Sequence, residues 1–434
     1  MVRRIVHRYL ASFRGLPPQV WLVSLTVLIN RSGTMVLPFL ALYATAELGL
    51  SVSAAGRLLA VYGIGAILGN WLGGWLTGKY GPLVVQFGSL ALAAGGFLLL
   101  SCARNGADAA YCLFLLSLVG EANRPAAATA TTLLAPPEAH SRAFALNRLA
   151  VNLGMSIGPV LGGFLAEIDF KWLFYVDAAS CLLAAVFLAR TLGLRPLPEH
   201  DTDESTSPAG SNSPWRDSQF LAVMFLLLVM GIVFFQLLGT YVLYLEEHFQ
   251  FSKPLIGAML AINTVIIVLV EMLVIHHTEK HSRLRLAACG CVLLGLGFGL
   301  LPFGRGIAYC AALIVVWTAG EILESAPSLA YVASRSTRAN RSAYLAVYAM
   351  TMSAALVLAP LLGMTLYELN PNGPWYACLA TSLTVAAALY WIDGRRVSPA
   401  VAAMRAETGK HTPSVATIEK IDAALRAATK SKQR

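Results

Sequence analysis

Residues 118–125 read Leu-Val-Gly-Glu-Ala-Asn-Arg-Pro, which places a carboxylate, Glu121, and a guanidinium, Arg124, three residues apart within an apolar segment at 109–134. An isolated charge at the centre of a bilayer costs about 2.5–3.5 kcal/mol on insertion scales, so such charges face a partner or a water-filled cavity. Residues 320–327, Gly-Glu-Ile-Leu-Glu-Ser-Ala-Pro, repeat this setting. The stretch therefore predicts a membrane helix with an internal charge site, and the chain contains two of them.

The composition places the chain in the membrane class. Its 434 residues are 57% hydrophobic and 13% charged, against about 25% charged in an ordinary soluble domain. Twelve apolar runs are predicted to cross a bilayer, which needs about 20 residues per helix. These runs are 19–43, 55–77, 82–103, 109–134, 145–166, 172–192, 219–245, 255–275, 286–303, 307–333, 343–367 and 375–392.

The positive charge predicts the orientation. If both termini are cytoplasmic, the inner loops and the tail hold most Lys and Arg residues, whereas the outer loops hold only Arg104, Lys171, Lys253 and Arg305, with Arg57 at the outer edge of the second run. Basic residues are enriched in cytoplasmic loops. The net charge of +9 is therefore read as a topology signal, without a nucleic-acid partner. We expect a multi-pass protein of a bacterial-type inner membrane.

The chain divides into two similar halves. A polar, proline-containing linker at 193–217 separates an N-terminal bundle (19–192) from a C-terminal bundle (218–393), with a cytoplasmic lead-in at 1–18 and a cytoplasmic tail at 394–434. Four residue pairs recur at an offset of 200 or 201: Tyr43 and Tyr244, Ser51 and Ser252, Glu121 and Glu321, Pro159 and Pro360. We infer a duplicated six-helix unit, which places a substrate site between the halves.

Two glycine-containing motifs carry a family resemblance. The fifth run contains Gly154-x3-Gly158-Pro159-x2-Gly162-Gly163, and the loop after the second contains Gly74, Lys79 and Gly81. The chain resembles a major facilitator superfamily transporter, and its fifth run resembles the motif of proton-coupled drug exporters. This resemblance implies an all-α membrane fold of 12 transmembrane helices in two pseudo-symmetric six-helix bundles, and it implies conformational roles for both motifs.

The loop motif departs from the family pattern. Gly78 stands at its acidic position, and Pro82 and Leu83 stand at its last two basic positions. The charge contacts that gate the cytoplasmic side in the family are therefore expected to be weaker here or to use other residues. Asn30 and Arg31 stand where some drug exporters carry an acidic motif in the first span.

The internal charges are the candidate coupling and substrate residues. Glu121 and Arg124 lie on one helix face and can pair, either as an ion pair that only locks the span or as part of a transport path that includes Arg31. Glu321 and Glu324 share a face without a cation in their helix. Two close carboxylates cannot both ionise cheaply, so one can carry a proton; alternatively, they bind a cationic substrate, or Glu324 reaches toward Arg335. The resemblance adds Glu271 beside Glu321.

Other polar and aromatic residues in the apolar runs are candidates for the cavity lining or for interhelical packing: Asn30, Asn152, Gln236, Asn263, Tyr62, Phe235 and Tyr241. The loop at 276–281 (His-His-Thr-Glu-Lys-His) lacks the His-Glu-x-x-His order and is crowded by basic residues, so no metal site is predicted.

The function expected from these features is secondary active transport by alternating access, most simply proton-coupled export of small amphiphilic compounds by a monomer without a cofactor. The alternative is uptake or exchange of a sugar, peptide or organic anion. A transport-inactive sensor or an intramembrane enzyme is the less favoured class; an enzyme would need a nucleophile–base or metal constellation at one depth, and the sequence offers none. The sequence has no Gly-x4-Gly-Lys-Ser/Thr loop, so transport driven directly by ATP is not expected.

Overall fold

A computed structural model describes residues 15–194, 197, 213–278, 281–336 and 340–408, and the regular structure in these ranges is entirely helical. Several sequence predictions concern residues outside them. These are the lead-in before residue 15, most of the linker, Glu279 and Lys280 of the histidine-containing loop, and the tail after residue 408.

The first half of the chain forms helices whose starts follow local signals. Ser51 Oγ accepts a hydrogen bond from the Ala54 amide at 3.3 Å, and Asn105 Oδ1 accepts one from the Asp108 amide at 2.9 Å, so both act as N-caps. The helices are α1 Pro18–Ser32, α2 Val36–Ala46, α3 Val52–Tyr80, α4 Pro82–Leu100, α5 Gly106–Gly120, α6 Asn123–Leu134, α7 His140–Ile168 and α8 Lys171–Thr191.

The second half repeats this order, including an interruption in its first membrane segment. Residues 235–239, which begin with the 3₁₀ turn Phe235–Leu237, separate the two helices there, as residues 33–35 separate α1 from α2. The helices are α9 Ser218–Phe234, α10 Thr240–Glu247, α11 Lys253–Thr278, α12 Arg283–Gly299, α13 Ile307–Arg335, α14 Arg341–Leu369 and α15 Gly373–Thr408.

Ten segments within the described ranges are long and apolar enough to cross a membrane by length and composition. The predicted fourth run is divided into α5 and α6, and the predicted ninth run forms α12, which has 17 residues. The helices of these two runs are therefore shorter than the ten membrane-spanning segments. Large apolar side chains cover the outer surface: Trp71 is 73% exposed and Phe225 is 64% exposed. The protein is therefore a multi-pass membrane protein whose surface suits lipid.

Contacts between segment ends that are distant in the chain define two faces of the molecule: Asp217 meets Arg335 at one, and Ser53 meets Glu368 at the other. We call the first the terminal face; it carries residues 15–17, 81, 135–139, 192–194, 213–217, 281–282, 336 and 340. We call the second the opposite face; it carries residues 47–51, 101–105, 169–170, 248–252, 300–306 and 370–372.

A hydrogen-bonded network joins three helices at the terminal face. Asp217 caps α9 by accepting from the Phe220 amide at 3.0 Å, and Arg335 Nε at the end of α13 donates to Asp217 Oδ2 at 2.9 Å. Tyr344 Oη in α14 donates to the same oxygen at 3.3 Å. Partial burial acts to raise the pKa of Asp217, but the hydrogen bonds from Arg335 and Phe220 outweigh it and hold this pKa below its usual value.

This network makes part of the stability pH-dependent. A carboxyl group whose pKa is lower in the folded state stabilises the fold above its unfolded pKa of about 3.9 and loses this contribution as the pH falls through its folded pKa. We expect Asp217→Asn to lower the free energy of unfolding at pH 7 by about 1–3 kcal/mol. The difference from the wild type should narrow below pH 4. Thermal unfolding in detergent at both pH values tests this; an equal difference at both would contradict it.

Candidate functional site

The first charge cluster lies at the interruption between α5 and α6. Pro125 has no amide hydrogen, and its ring crowds the carbonyl four residues earlier, which belongs to Glu121; the helix breaks there. Arg124 Nε lies 2.5 Å from Glu121 Oε2, and Tyr62 Oη on α3 donates to Glu121 Oε1 at 2.9 Å. The Glu121 side chain is 8% exposed and that of Arg124 is 53% exposed. The carboxylate is thus covered, while the guanidinium faces open space.

Arg31 completes this cluster from the last turn of α1. It is close enough to interact electrostatically with both Glu121 and Arg124, and its Nε is buried without a hydrogen-bond partner. Gly154 makes this position possible: a Cβ there would lie 2.5 Å from the Cβ of Arg31. The three side chains together carry one net positive charge.

Asp177 on α8 was not among the residues selected from the sequence. Its carboxylate accepts from the amides of Met35, at 3.1 Å, and Val36, at 3.0 Å, at the start of α2, where helix amides have no partner four residues earlier in the helix. The side chain is almost fully buried. It therefore stabilises the break between α1 and α2. A lone aspartate in the apolar run 172–192 was the signal that could have identified it.

The second cluster lies on α11 and α13. Asn263 Nδ2 donates to Glu321 Oε2 at 2.7 Å and to Thr318 Oγ1 at 3.2 Å. Glu324 accepts from Ser328 Oγ at 3.0 Å. Neither carboxylate forms an ion pair with another described residue. The possible partner of Glu324, Arg335, instead binds Asp217.

An ion pair connects the two halves next to this cluster. Arg148 on α7 pairs with Glu271 on α11, and both interact electrostatically with Glu321. Arg148 was not among the residues selected from the sequence, because its position early in the fifth run gives no information on its neighbours. The structure brings it together with the predicted residues Glu271 and Glu321.

The two clusters are related by the sequence repeat. Tyr62 and Asn263 are 201 residues apart, and Glu121 and Glu321 are 200 apart; each donor is on the second segment of its half and each acceptor on the fourth. The geometry of donor and carboxylate is thus preserved between the halves. The cations are not preserved, because Arg124 lies three residues after Glu121, whereas Glu324 stands at the corresponding position after Glu321.

Two of the candidates for the cavity lining, Gln236 and Tyr241, take the second of the two roles left open by the sequence, that of interhelical packing. Gln236 Nε2 donates to the carbonyl of Ala359 at 3.0 Å, and its Oε1 accepts from Thr240, so it is a buried interhelical contact. Tyr241 is fully buried among aromatic rings that include Trp317 and Trp375. Helical periodicity could not distinguish these positions from lining ones. Asn30 donates to the sulfur of Cys181 at 3.3 Å, and Asn152 and Phe235 are half-buried.

The glycine motif of the fifth run faces two helices. A Cβ at Gly158 would meet the Thr34 carbonyl at 3.0 Å and one at Gly162 would meet the Met35 Cβ at 3.0 Å, whereas one at Gly163 would lie 2.3 Å from the Lys253 carbonyl. Gly154, Gly158 and Gly162 therefore pack against the interrupted α1–α2, and Gly163 packs against α11 of the other half. Pro159 presents its carbonyl to Gly257.

The loop motif makes no inter-helical charge contact among the described residues. Gly74 has no atom within 4 Å of a Cβ added to it, and Gly81 ends α3 with a φ of +84°. Lys79 Nζ lies 5.3 Å from the ring centre of Trp75 and 5.2 Å from that of Tyr80. Lys79 therefore makes cation–π contacts with two rings of its own helix.

An all-helical membrane protein with charges inside both halves, interrupted helices and close contacts between the halves belongs to the class of membrane carriers. No group of three or more potential metal ligands occurs among the described residues. A family model of the Major Facilitator Superfamily matches residues 20–336 and 236–432. The chain belongs to this superfamily of transporters.

Relatives within the superfamily are distant. Multidrug resistance protein MdtH of Aeromonas hydrophila subsp. hydrophila is 24% identical over 317 residues, which cover 70% of this chain and 76% of the relative. A Na(+), Li(+), K(+)/H(+) antiporter of Planococcus maritimus is 23% identical over 374 residues, covering 77% and 85%. A crystal structure of peptide transporter POT in complex with sulfate matches with a TM-score of 0.75 and 16% identity, covering 88% and 96%. That structural likeness concerns the fold alone.

Proposed function

We propose that the chain is a proton-coupled exporter of small amphiphilic compounds that works by alternating access. In this proposal, twelve membrane segments form two six-helix bundles that rock about a central site, α5–α6 and α12 counting as the fourth and ninth. The protein lies as a monomer in a bacterial-type inner membrane with both termini cytoplasmic. It needs no cofactor and performs no covalent chemistry. The names of the relatives, a multidrug resistance protein and a cation/proton antiporter, support export and proton exchange.

One observation carries the coupling: Glu321 and Glu324 are carboxylates in a membrane helix without an ion-pair partner among the described residues. A carboxylate in such a setting is stabilised either by a proton or by a cation. Proton binding from one side and release to the other, in exchange for substrate, follows if the halves alternate. Glu271, which is paired with Arg148, lies beside Glu321 and contributes to the electrostatic potential at this carboxylate.

Transport in proteoliposomes with an imposed pH gradient tests this proposal. Ethidium serves as an amphiphilic probe, and Glu138→Gln, a substitution in a 3₁₀ turn at the terminal face, is the matched control. We expect Glu321→Gln/Glu324→Gln to reduce gradient-driven accumulation to the level reached without a gradient, because a neutral amide cannot carry the coupling proton, while exchange of ethidium without a gradient persists. Gradient-driven accumulation at the wild-type level would exclude these two residues from coupling.

The alternative function is uptake or exchange of a metabolite such as an organic anion, a peptide or a sugar. The Arg31–Glu121–Arg124 cluster favours an anion, because it carries a net positive charge and the Nε of Arg31 is buried without a hydrogen-bond partner. In the same proteoliposomes, competition by small carboxylates against the probe, lost in Arg31→Gln, would support this alternative.

A further inference from the structure

Two carboxylates connect the halves at the opposite face. Glu167 Oε2, at the end of α7, accepts from the Lys253 amide at 3.3 Å, where α11 begins. Glu368 Oε2, at the end of α14, accepts from the Ser53 amide at 3.0 Å, in the first turn of α3. We call these two hydrogen bonds the carboxylate contacts. Each of them crosses from one half of the chain to the other.

The carboxylate contacts are equivalent under the sequence repeat. Glu167 and Glu368 are 201 residues apart, and Ser53 and Lys253 are 200 apart. The N-terminal half therefore gives a carboxylate to a helix start of the C-terminal half and receives the same contact in return. Such reciprocity is what a two-fold axis between the halves produces. A single surface hydrogen bond would have no reason to recur in this way.

Close backbone contacts accompany them along the same helices. A Cβ at Gly257 would lie 2.1 Å from the Pro159 carbonyl, and a Cβ at Gly56 would lie 2.7 Å from the Pro360 carbonyl; these positions again differ by 201 residues. The helix pairs α7–α11 and α3–α14 are thus in close contact a few residues farther along the helices than the carboxylate contacts. In this structure, the halves are held together toward the opposite face.

We propose that Glu167 and Glu368 are gate residues that hold the opposite face closed and must both release before this face opens. A carboxylate beside the first amides of a helix is stabilised by the unpaired N–H groups and by the helix dipole. Movement of the halves about a central axis separates both helix starts from both carboxylates at once. The gate is therefore a pair of contacts that break together, and both of them stabilise the closed state.

Other charged groups near the carboxylate contacts belong to the same face. Arg57 interacts electrostatically with Glu368. Lys253 and Glu167 both interact electrostatically with Glu246, while Lys253 Nζ lies 4.7 Å from the ring centre of Phe170. Glu368 therefore has a cation in its neighbourhood and Glu167 faces a further carboxylate. We expect Glu368 to contribute more to the closed state than Glu167.

A distance measurement across the opposite face tests the gate. Nitroxide labels at Arg104→Cys and Arg305→Cys, both exposed at this face, are placed in a chain whose Cys102, Cys112 and Cys289 are replaced by serine. Double electron–electron resonance then reports the separation of the halves in detergent or nanodiscs. Each single substitution, Glu167→Ala or Glu368→Ala, should raise the ratio of long to short distances about 2–5-fold, and the double substitution about 4–25-fold.

Asp169→Ala is the matched control. Asp169 Oδ1 accepts from the Lys171 amide at 2.8 Å, so it also binds the first amide of a helix at the opposite face, but both residues belong to the N-terminal half. Its removal should leave the distance distribution unchanged. An unchanged distribution in the double variant, or an equal change in the control, would overturn the proposal. The inference rests on the alternating access of the proposed function. The distance measurement requires neither a substrate nor a pH gradient, so it can be interpreted even if the test of proton coupling fails.

Discussion

Replacing Glu121 with glutamine is expected to lower the free energy of unfolding by about 1.5–3 kcal/mol, the range for a hydrogen bond to a charged group, because the carboxylate is covered while Arg124 is half exposed. The same replacement at Glu321 should leave it unchanged or raise it. Glu121 balances Arg124, which lies 2.5 Å away, and also Arg31, so a neutral amide leaves two guanidinium groups uncompensated. Glu321 has no ion-pair partner among the described residues, and Asn263 can donate to an amide oxygen as well as to a carboxylate.

Thermal or denaturant unfolding in one detergent at pH 8 measures both variants against the wild type. Tyr62→Phe is the control at the first site, since it removes only the 2.9 Å hydrogen bond to Glu121 and should cost about 1–2 kcal/mol. Equal destabilisation by Glu121→Gln and Glu321→Gln would show that the two repeat positions have the same charge environment. That result would remove the asymmetry on which the coupling proposal depends.

Gly257→Ala is expected to destabilise the protein by about 1–3 kcal/mol or more, the range for overpacking. Its Cβ would lie 2.1 Å from the Pro159 carbonyl, and a backbone carbonyl cannot rotate away as a side chain can. The helices α7 and α11 would have to separate along their contact. Gly257→Val should prevent accumulation of folded protein, because its larger side chain forces a greater separation.

Gly74→Ala is the matched control, as it also lies in a membrane helix but has nothing within 4 Å of its added Cβ. Alanine is favoured over glycine in a helix interior by about 1 kcal/mol, so this variant should be as stable as the wild type or slightly more stable. Size-exclusion profiles and unfolding midpoints measure both. Similar behaviour of the two alanine variants would mean that the α7–α11 contact is not close-packed.

Ten of the twelve predicted membrane segments are confirmed as long and apolar enough to span a membrane, because apolar runs and lipid-facing surfaces have one physical cause. The sequence also predicted the pairing of Glu121 with Arg124, since an i, i+3 spacing determines which side chains meet on one helix. The repeat correctly related Glu121 to Glu321. Each of these predictions requires only the sequence of one helix or the comparison of two equivalent helices.

The remaining features depend on contacts between helices that are distant in the chain. Arg148 meets Glu271 because α7 lies against α11, and no periodicity within α7 contains that fact. Tyr241 and Asp177 show the same limit: one is packed inside aromatic rings and the other caps a helix 141 residues earlier. The carboxylate contacts of Glu167 and Glu368 could have been suspected from their offset, but their acceptor role required the geometry.

The break between α1 and α2 has an electrical consequence for Arg31. A helix end carries about half an elementary charge, negative at the carbonyl end, and Arg31 lies in the last turn of α1. An arginine side chain remains protonated in proteins. The broken helix thus supports the cation from its own backbone, independently of Glu121. Whichever carboxylates gain or lose a proton, this part of the protein keeps a permanent positive charge that the membrane potential acts on in every step.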